Sequence, residues 1–373
     1  MNKKNNQYML EAFKLAAKGK NLVFPNPFVG AIVVKNGKIV GKGFHKQAGK
    51  EHAEVNALND AGIKAKNADL YVTLEPCSTY GKTPPCTAKI IESKIKKVYI
   101  GALDYNPRHR KKAESILNKK GIETEILDFG EKNSELNKVF NFNIKYSLPY
   151  VHLKAAISLD GMICDSRQNS KWITCEKTRL YSHYLRAKCD AILVGSKTFN
   201  LDNPRLNIRN RSKTITKDPA VIIISASGKL NLKNNLLKNT TEREVLILTT
   251  PSGKRNLQGK INNHNTTIKS FSRRTHLSIK PCLTYLKKRG YTSILVEGGS
   301  SLLEQFLQIR LFQELHIFMA PKVFGKGSKN FSSNANIDFA NKKNNLSLIT
   351  SKKIENDIYL RYKNVYWDYS SIR

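Results

Sequence analysis

His52-Ala53-Glu54, then Thr73-Leu74-Glu75-Pro76-Cys77-Ser78, then Gly81-Lys82-Thr83-Pro84-Pro85-Cys86 are the segments on which the reading of this chain turns. The apolar spacing places His52 at the start of a helix over 51–61. Leu70 to Leu74 reads as a buried strand that runs through Glu75 to Pro76-Cys77, and Pro85-Cys86 opens a second helix over 87–93. One imidazole and two thiolates are three donors of the kind tetrahedral zinc takes, which leaves a fourth position for water. Helix N-termini suit this work, because their exposed N–H groups and positive dipole end favour thiolate over thiol. Water at such an ion is acidified toward neutrality and can attack an amidine carbon. Glu54, two residues past the imidazole and not a ligand, can take that water's proton and pass it to a ring nitrogen and a departing amine. The metal site is therefore expected at His52, Cys77 and Cys86, with Glu54 as the catalytic acid–base.

Working outward, residues 8–18 fit a helical face. Val29 to Val34 and Lys38 to Phe44 read as a hairpin around Asn36-Gly37, the strongest short hairpin signal. Strands over 98–102 and 123–127 and helices over 111–119 and 131–146 complete an alternating set, which predicts a sheet covered on both faces. Ser147-Leu148-Pro149 marks a join, so domains are expected at 1–147 and 148–373. Beyond it, strands are expected over 150–157, 191–194, 221–224, 245–248, 293–297 and 314–320. Helices are expected over 177–187, 282–289 and 300–308, with a terminal hairpin over 351–366. Much of 231–280, rich in Asn, Lys, Thr and Ser, reads as loose connections.

The chain has 373 residues, 40% hydrophobic and 25% charged, which fits two globular cores and excludes collagen-like or disordered classes. No apolar run approaches the ~18 residues of a bilayer span, and the N-terminus lacks a signal-peptide core, so a soluble cytoplasmic protein without membrane partners is expected. The six cysteines then point to thiols rather than a disulfide framework. Sixty-four Lys plus Arg against 29 Asp plus Glu give a net charge of +35. That invites a nucleic-acid reading. Yet the basic residues are scattered and track Asn, as codon bias produces, and they form no stripe interleaved with exposed aromatics. No nucleic-acid partner is expected. A phosphorylated small molecule would still be drawn to such a field.

His-x-Glu, a strand, Pro-Cys and a second Pro-Cys opening a helix match the signature of zinc-dependent nucleobase deaminases. With Pro25-Asn26-Pro27-Phe28-Val29-Gly30 and the Gly-Lys-Thr-Pro-Pro-Cys ending, the first half resembles the bifunctional riboflavin-biosynthesis deaminase–reductases. The resemblance implies a cytidine-deaminase-like α/β/α sandwich. It also implies loss of the 2-amino group from a diaminopyrimidinone ribosylamino 5′-phosphate, with Asn26, His45 and Lys82 as substrate contacts. Two positions differ from the family pattern: Thr79 stands where His is usual, and Arg108-His109-Arg110-Lys111-Lys112 replaces a Gly-rich run.

The second half carries Lys154 to Gly161, Ser170-Lys171-Trp172, Asp202-Asn203-Pro204-Arg205-Leu206 and Val296-Glu297-Gly298-Gly299-Ser300. In the last of these a buried strand delivers an acid, two glycines permit close backbone approach, and a helix N-terminus follows; together they suit an anion. The set resembles the reductase half of the same family, a dihydrofolate-reductase-like α/β domain using NADPH. The resemblance implies cofactor contacts at Ala156, Trp172, Thr198, Asp202, Ser225 and the run from Gly299 to Gln305. Substrate contacts are implied at Lys154, Ser170, Arg186, Leu206, Arg209 and Glu297, with Arg186 and Arg209 suited to gripping a 5′-phosphate. Lys154 and Asp202 are the proton-donor candidates by position. Val221, Ser225 and Gln313 depart from the family's usual Arg, Asp and Asp. Edge strands of this half are expected to pair two chains. The competing readings are a nucleic-acid deaminase with a basic accessory domain, which predicts closer cysteines, and a basic protein with structural zinc, which predicts a closed four-ligand site.

Overall fold

The computed structural model describes residues 3–19, 23–209, 218–238, 243–261, 263–271, 277–332 and 346–365. The chain divides into two compact units, Met1–Tyr146 and Ser147–Arg373.

The first unit runs α1 (Lys3–Ala16), β1 (Gly30–Lys35), β2 (Lys38–Phe44), α2 (Ala53–Ala61), β3 (Asp69–Val72), α3 (Cys86–Glu92), β4 (Lys97–Ile100), α4 (Lys112–Asn118), β5 (Glu123–Ile126), α5 (Gly130–Leu136) and α6 (Lys138–Lys145). Its five strands lie in the order β2-β1-β3-β4-β5. The β1–β2 and β1–β3 pairs are antiparallel, and β3–β4 and β4–β5 are parallel. Period-two alternation sorts the core. Ala31, Val33, Leu70, Val72, Val98 and Ile100 pack on one face with Ala57, Leu58 and Ile90, while Ile32, Val34, Tyr71 and Tyr99 meet Met9, Ala12 and Phe13 on the other. The hairpin turns where expected, with Asn36 and Gly37 both at positive φ, 49° and 73°. The expected single helix over 131–146 is broken at Asn137, which leaves the helical region at φ −106° and ψ 21°. Its side chain accepts from the N–H of Phe28 at 2.7 Å and donates to the Phe28 carbonyl at 3.0 Å.

The second unit runs β6 (Tyr150–Ile157), β7 (Met162–Cys164), α7 (Glu176–Arg186), β8 (Ala191–Gly195), α8 (Ser196–Asp202), β9 (Ala220–Ile224), α9 (Asn235–Lys238), β10 (Val245–Thr249), α10 (Pro251–Leu257), β11 (Thr266–Ser270), α11 (Ile279–Lys288), β12 (Ser293–Glu297), α12 (Ser300–Ile309), β13 (Glu314–Met319), β14 (Lys329–Asn330), β15 (Ser347–Ile354) and β16 (Asp357–Lys363). Nine strands form one sheet in the order β11-β10-β9-β8-β12-β6-β13-β16-β15. From β11 to β13 every neighbouring pair is parallel, and β16 and β15 add an antiparallel margin. Continuous apolar runs such as β10 and β12, buried throughout, suit strands covered on both faces. The stretch read as loose connections contains α9, α10 and the edge strand β11. The terminal hairpin begins four residues earlier than expected, and Tyr366, its expected end, lies outside the described residues. No helix among the described residues is long and apolar enough to cross a membrane.

Candidate active sites

The first site is built by placing two helix starts beside the end of β3. The helix α2 lies directly on the hairpin because Gly41 and Gly43 face it. A Cβ on either would stand 2.3 Å from a backbone oxygen, of Ala57 and Ala53 respectively. His52 caps this helix in an extended conformation. Cys86 begins α3 after Pro85, and its N–H donates to Cys77 Sγ at 3.2 Å. His52 Nδ1 lies 3.5 Å from Cys77 Sγ and 3.3 Å from Cys86 Sγ. Tetrahedral zinc with bonds of about 2.3 Å to sulfur and 2.0 Å to nitrogen requires such donors to sit about 3.6 Å apart. The trio therefore fits zinc. Hydrogen bonding from Cys86, and then from His52, pushes the Cys77 thiol down to about 4, and the same pairing pushes Cys86 up.

Glu54 is 3% exposed, and burial pushes its carboxyl up to about 7. A carboxyl balanced there can both accept and release a proton. Beside it, the His45 ring meets the His52 ring edge-on at 5.2 Å. His45 Nδ1 is 3.0 Å from the Glu51 carbonyl, which can only accept, so Nδ1 carries the hydrogen. Nε2 then accepts from Asn26 Nδ2 at 3.0 Å. Burial lowers the pKa of His45 and favours this neutral form. Asn26 and His45 are thus joined, whereas Lys82 lies exposed on its loop, its stem beside Gly49.

Sequence reading assigned no role to Glu75. Its buried carboxylate accepts from the N–H groups of Asp104 (3.2 Å), Lys111 (3.0 Å) and Ala113 (3.2 Å), and so ties down the loop that carries Arg108 to Lys112. An acid closing a buried strand immediately before Pro-Cys was the available signal.

The second site is a cavity of about 1610 Å³ at the carboxyl ends of β6, β8, β9 and β12, where doubly wound sheets place ligands. Lys154, Ala156, Ser170, Trp172, Arg186, Thr198, Asp202, Leu206, Arg209, Glu297, Gly299 and Gln305 all line it. Ser225 does not. Ile224 and Ala226 reach the wall, and Ser225, between them and 1% exposed, is turned away by strand alternation.

Arg186 lies in the wall with protein partners of its own. Nε and Nη2 donate to the two Glu297 oxygens at 2.6 and 2.9 Å, and Nη1 donates to the Asn207 carbonyl at 3.0 Å. Three of the Arg186 N–H groups are thus used within the protein, and the guanidinium holds Glu297 in place, while Arg209 stands exposed on the same wall. Burial works against the Glu297 charge, but Arg186 outweighs it, with help from Lys154, and holds the carboxyl at about 2. Burial lowers the pKa of Lys154, opposed by Glu297, and raises that of Asp202, opposed by Lys171.

At the start of α12, Gly299 donates its N–H to Thr198 Oγ1 at 2.9 Å, and Ser300 Oγ is buried with no partner among the described residues. An orphan hydroxyl on a helix N-terminus above a glycine pair fits the phosphates of a dinucleotide. The volume exceeds the ~300–1,000 Å³ usual for one ligand, so a dinucleotide and a second molecule fit together.

Comparison with known proteins finds a match for each unit. Residues 2–102 match the cytidine and deoxycytidylate deaminase zinc-binding region, and residues 149–360 match the RibD C-terminal domain. The riboflavin biosynthesis protein RibD of Aquifex aeolicus is 40% identical over 321 residues, 86% of this chain and 88% of that one. The solved RibD of Acinetobacter baumannii (form 1) superposes with a TM-score of 0.86 at 32% identity, covering 97% of this chain and 99% of that one. A Thermotoga maritima diaminohydroxyphosphoribosylaminopyrimidine deaminase/5-amino-6-(5-phosphoribosylamino)uracil reductase gives 0.84 at 33%, covering 96% and 98%. With a zinc-binding deaminase region ahead of a reductase domain along a single chain, the protein belongs to the RibD family of riboflavin biosynthesis proteins.

Proposed function

We propose that this chain performs two successive steps of riboflavin biosynthesis on one phosphorylated pyrimidine. Hydrolytic deamination of 2,5-diamino-6-ribosylamino-4(3H)-pyrimidinone 5′-phosphate is followed by NADPH-dependent reduction of the ribosyl chain to ribityl. The observation that carries the reading is the pairing of a three-donor zinc geometry beside a buried carboxyl with a dinucleotide-sized cavity in the second unit.

In the first unit, His52, Cys77 and Cys86 would hold zinc, which would supply the Lewis acidity that makes water a nucleophile near neutral pH. Glu54 passes the water's first proton to the ring nitrogen and then carries the remaining hydroxyl proton to the leaving amine, so that ammonia departs neutral as the carbonyl forms. Asn26 and His45 orient the pyrimidine, with His45 neutral and its tautomer fixed by Glu51. Glu75 positions the basic loop near the substrate's phosphate, and Lys82 can reach the same group from its exposed loop.

In the second unit, NADPH when bound would supply the hydride for reduction of the ribosyl carbon C1′. Thr198, Gly299 and Ser300 would hold its phosphates, and Trp172, Ala156 and Asp202 would line the rest of its cavity. Glu297, held by Arg186, fixes the substrate; Ser170, Leu206 and Arg209 complete that wall. Lys154, whose pKa burial lowers, and Asp202, whose pKa burial raises, are the proton-donor candidates by their position in the cavity. A second copy of the chain can add to the exposed edge strand β15, and the cytoplasm is the expected location.

The test follows ammonia release and NADPH oxidation separately with the diaminopyrimidinone phosphate. Ammonia should appear without NADPH, and NADPH should be consumed only after deamination. NADPH consumption with no ammonia would contradict the order, and neither signal would contradict the reading.

A further inference from the structure

Beyond these two sites, the middle of the second sheet holds His152 on β6 and Glu314 and His316 on β13, all three buried. Parallel pairing sets His152 beside Glu314, and alternation puts His316 on the same face. Three donor atoms converge. His152 Nδ1 is 3.1 Å from His316 Nε2 and 3.4 Å from Glu314 Oε2, and His316 Nε2 is 3.3 Å from that same oxygen. Donors bonded at about 2.0–2.2 Å to a tetrahedral ion sit about 3.3 Å apart. We propose that His152, Glu314 and His316 form a second metal site, for a divalent transition cation of borderline softness such as zinc.

The surroundings support it. Tyr359 Oη meets His316 Nδ1 at 2.8 Å, and Tyr150 Oη donates to Glu314 Oε1 at 3.1 Å. His316 and Glu314 thus each have the remaining polar atom held by an outer partner, as metal-binding imidazoles and carboxylates typically do. Two imidazoles and one carboxylate, with no thiolate, suit zinc, iron(II) or cobalt(II) over soft cations. Burial implies that the ion enters as the sheet forms. His152 precedes Lys154 by one strand repeat on the same face, and His316 is the register partner of Lys154. The ion would therefore brace the floor of the reductase cavity beneath Lys154.

The full chain, refolded with cobalt(II) and freed of excess metal, tests this. About two cobalt ions per chain are expected, only one of them giving a thiolate-to-cobalt charge-transfer band. His316→Gln should lower the count to about one and leave that band unchanged. Cys77→Ser/Cys86→Ser should abolish the band and keep about one ion, and zinc added to that variant should raise the melting temperature of the second unit. One ion per wild-type chain, or a Cys77→Ser/Cys86→Ser chain that reduces with NADPH yet holds no metal, would make the three residues a hydrogen-bonded cluster and overturn the proposal.

Discussion

The Arg186 guanidinium and the Glu297 carboxylate meet as a fork on a fork, with parallel bonds of 2.6 and 2.9 Å in the wall of the reductase cavity. The pair ties α7 to the end of β12. Removing one partner of a buried pair strands the other charge and costs about 3–5 kcal/mol. Arg186→Ala should therefore destabilise the second unit by that amount. Both tryptophans, Trp172 and Trp367, lie in this half, so tryptophan fluorescence on denaturation reads it selectively.

The same pair sets a pH dependence. Glu297 sits at about 2 in the folded chain against an ordinary value of 4.5. A depressed carboxyl contributes stability that is fully present above 4.5 and is lost as pH falls toward 2. The contribution is about 3 kcal/mol. Fluorescence-monitored denaturation between pH 5 and pH 3 should show this decline, and Glu297→Gln should flatten it.

Close backbone approach positions the first site. At Gly43 an added methyl would stand 2.3 Å from both Ala53 O and Ala57 N, and neither can yield without moving α2. Gly43→Ala should cost about 1–3 kcal/mol or more. It should also lower zinc occupancy, because His52 caps α2. Metal content and thermal melting of the purified variant check both.

Glu75 acts through the loop it holds. Glu75→Gln replaces one acceptor oxygen by an NH₂ that faces backbone N–H groups, a loss of about 1–3 kcal/mol. Ammonia-release kinetics should show a raised KM for deamination, with zinc content unchanged. An unchanged KM would deny the loop a substrate role.

Much of this was legible in the sequence. His52, Cys77, Cys86 and Glu54 stood out because metal chemistry demands particular residue types at strand ends and helix starts. Paired strands such as β1–β2 and β6 were visible through alternation or apolar runs. What escaped depended on partners far along the chain. The partner of Arg186 escaped because nothing local reveals that Glu297, 111 residues on, meets its fork. Asn137 breaks a helix for the sake of Phe28, 109 residues earlier. The edge strand β11, Thr-Thr-Ile-Lys-Ser, is only partly buried and lacks the apolar run that marked β10. Gln313, at a family Asp position, donates its backbone N–H to Val151 and accepts the Val151 N–H through its side chain, a contact with no local signature.

The most direct measurement is ammonia release by Glu54→Gln. The isosteric amide leaves His52, Cys77 and Cys86 in place, so zinc at their site should match wild type while proton transfer fails. A fall of about 10²–10⁴-fold in deamination, with NADPH-dependent reduction of the deaminated substrate preserved, is the expected result. Deamination at the wild-type rate by the zinc-loaded variant would contradict the account.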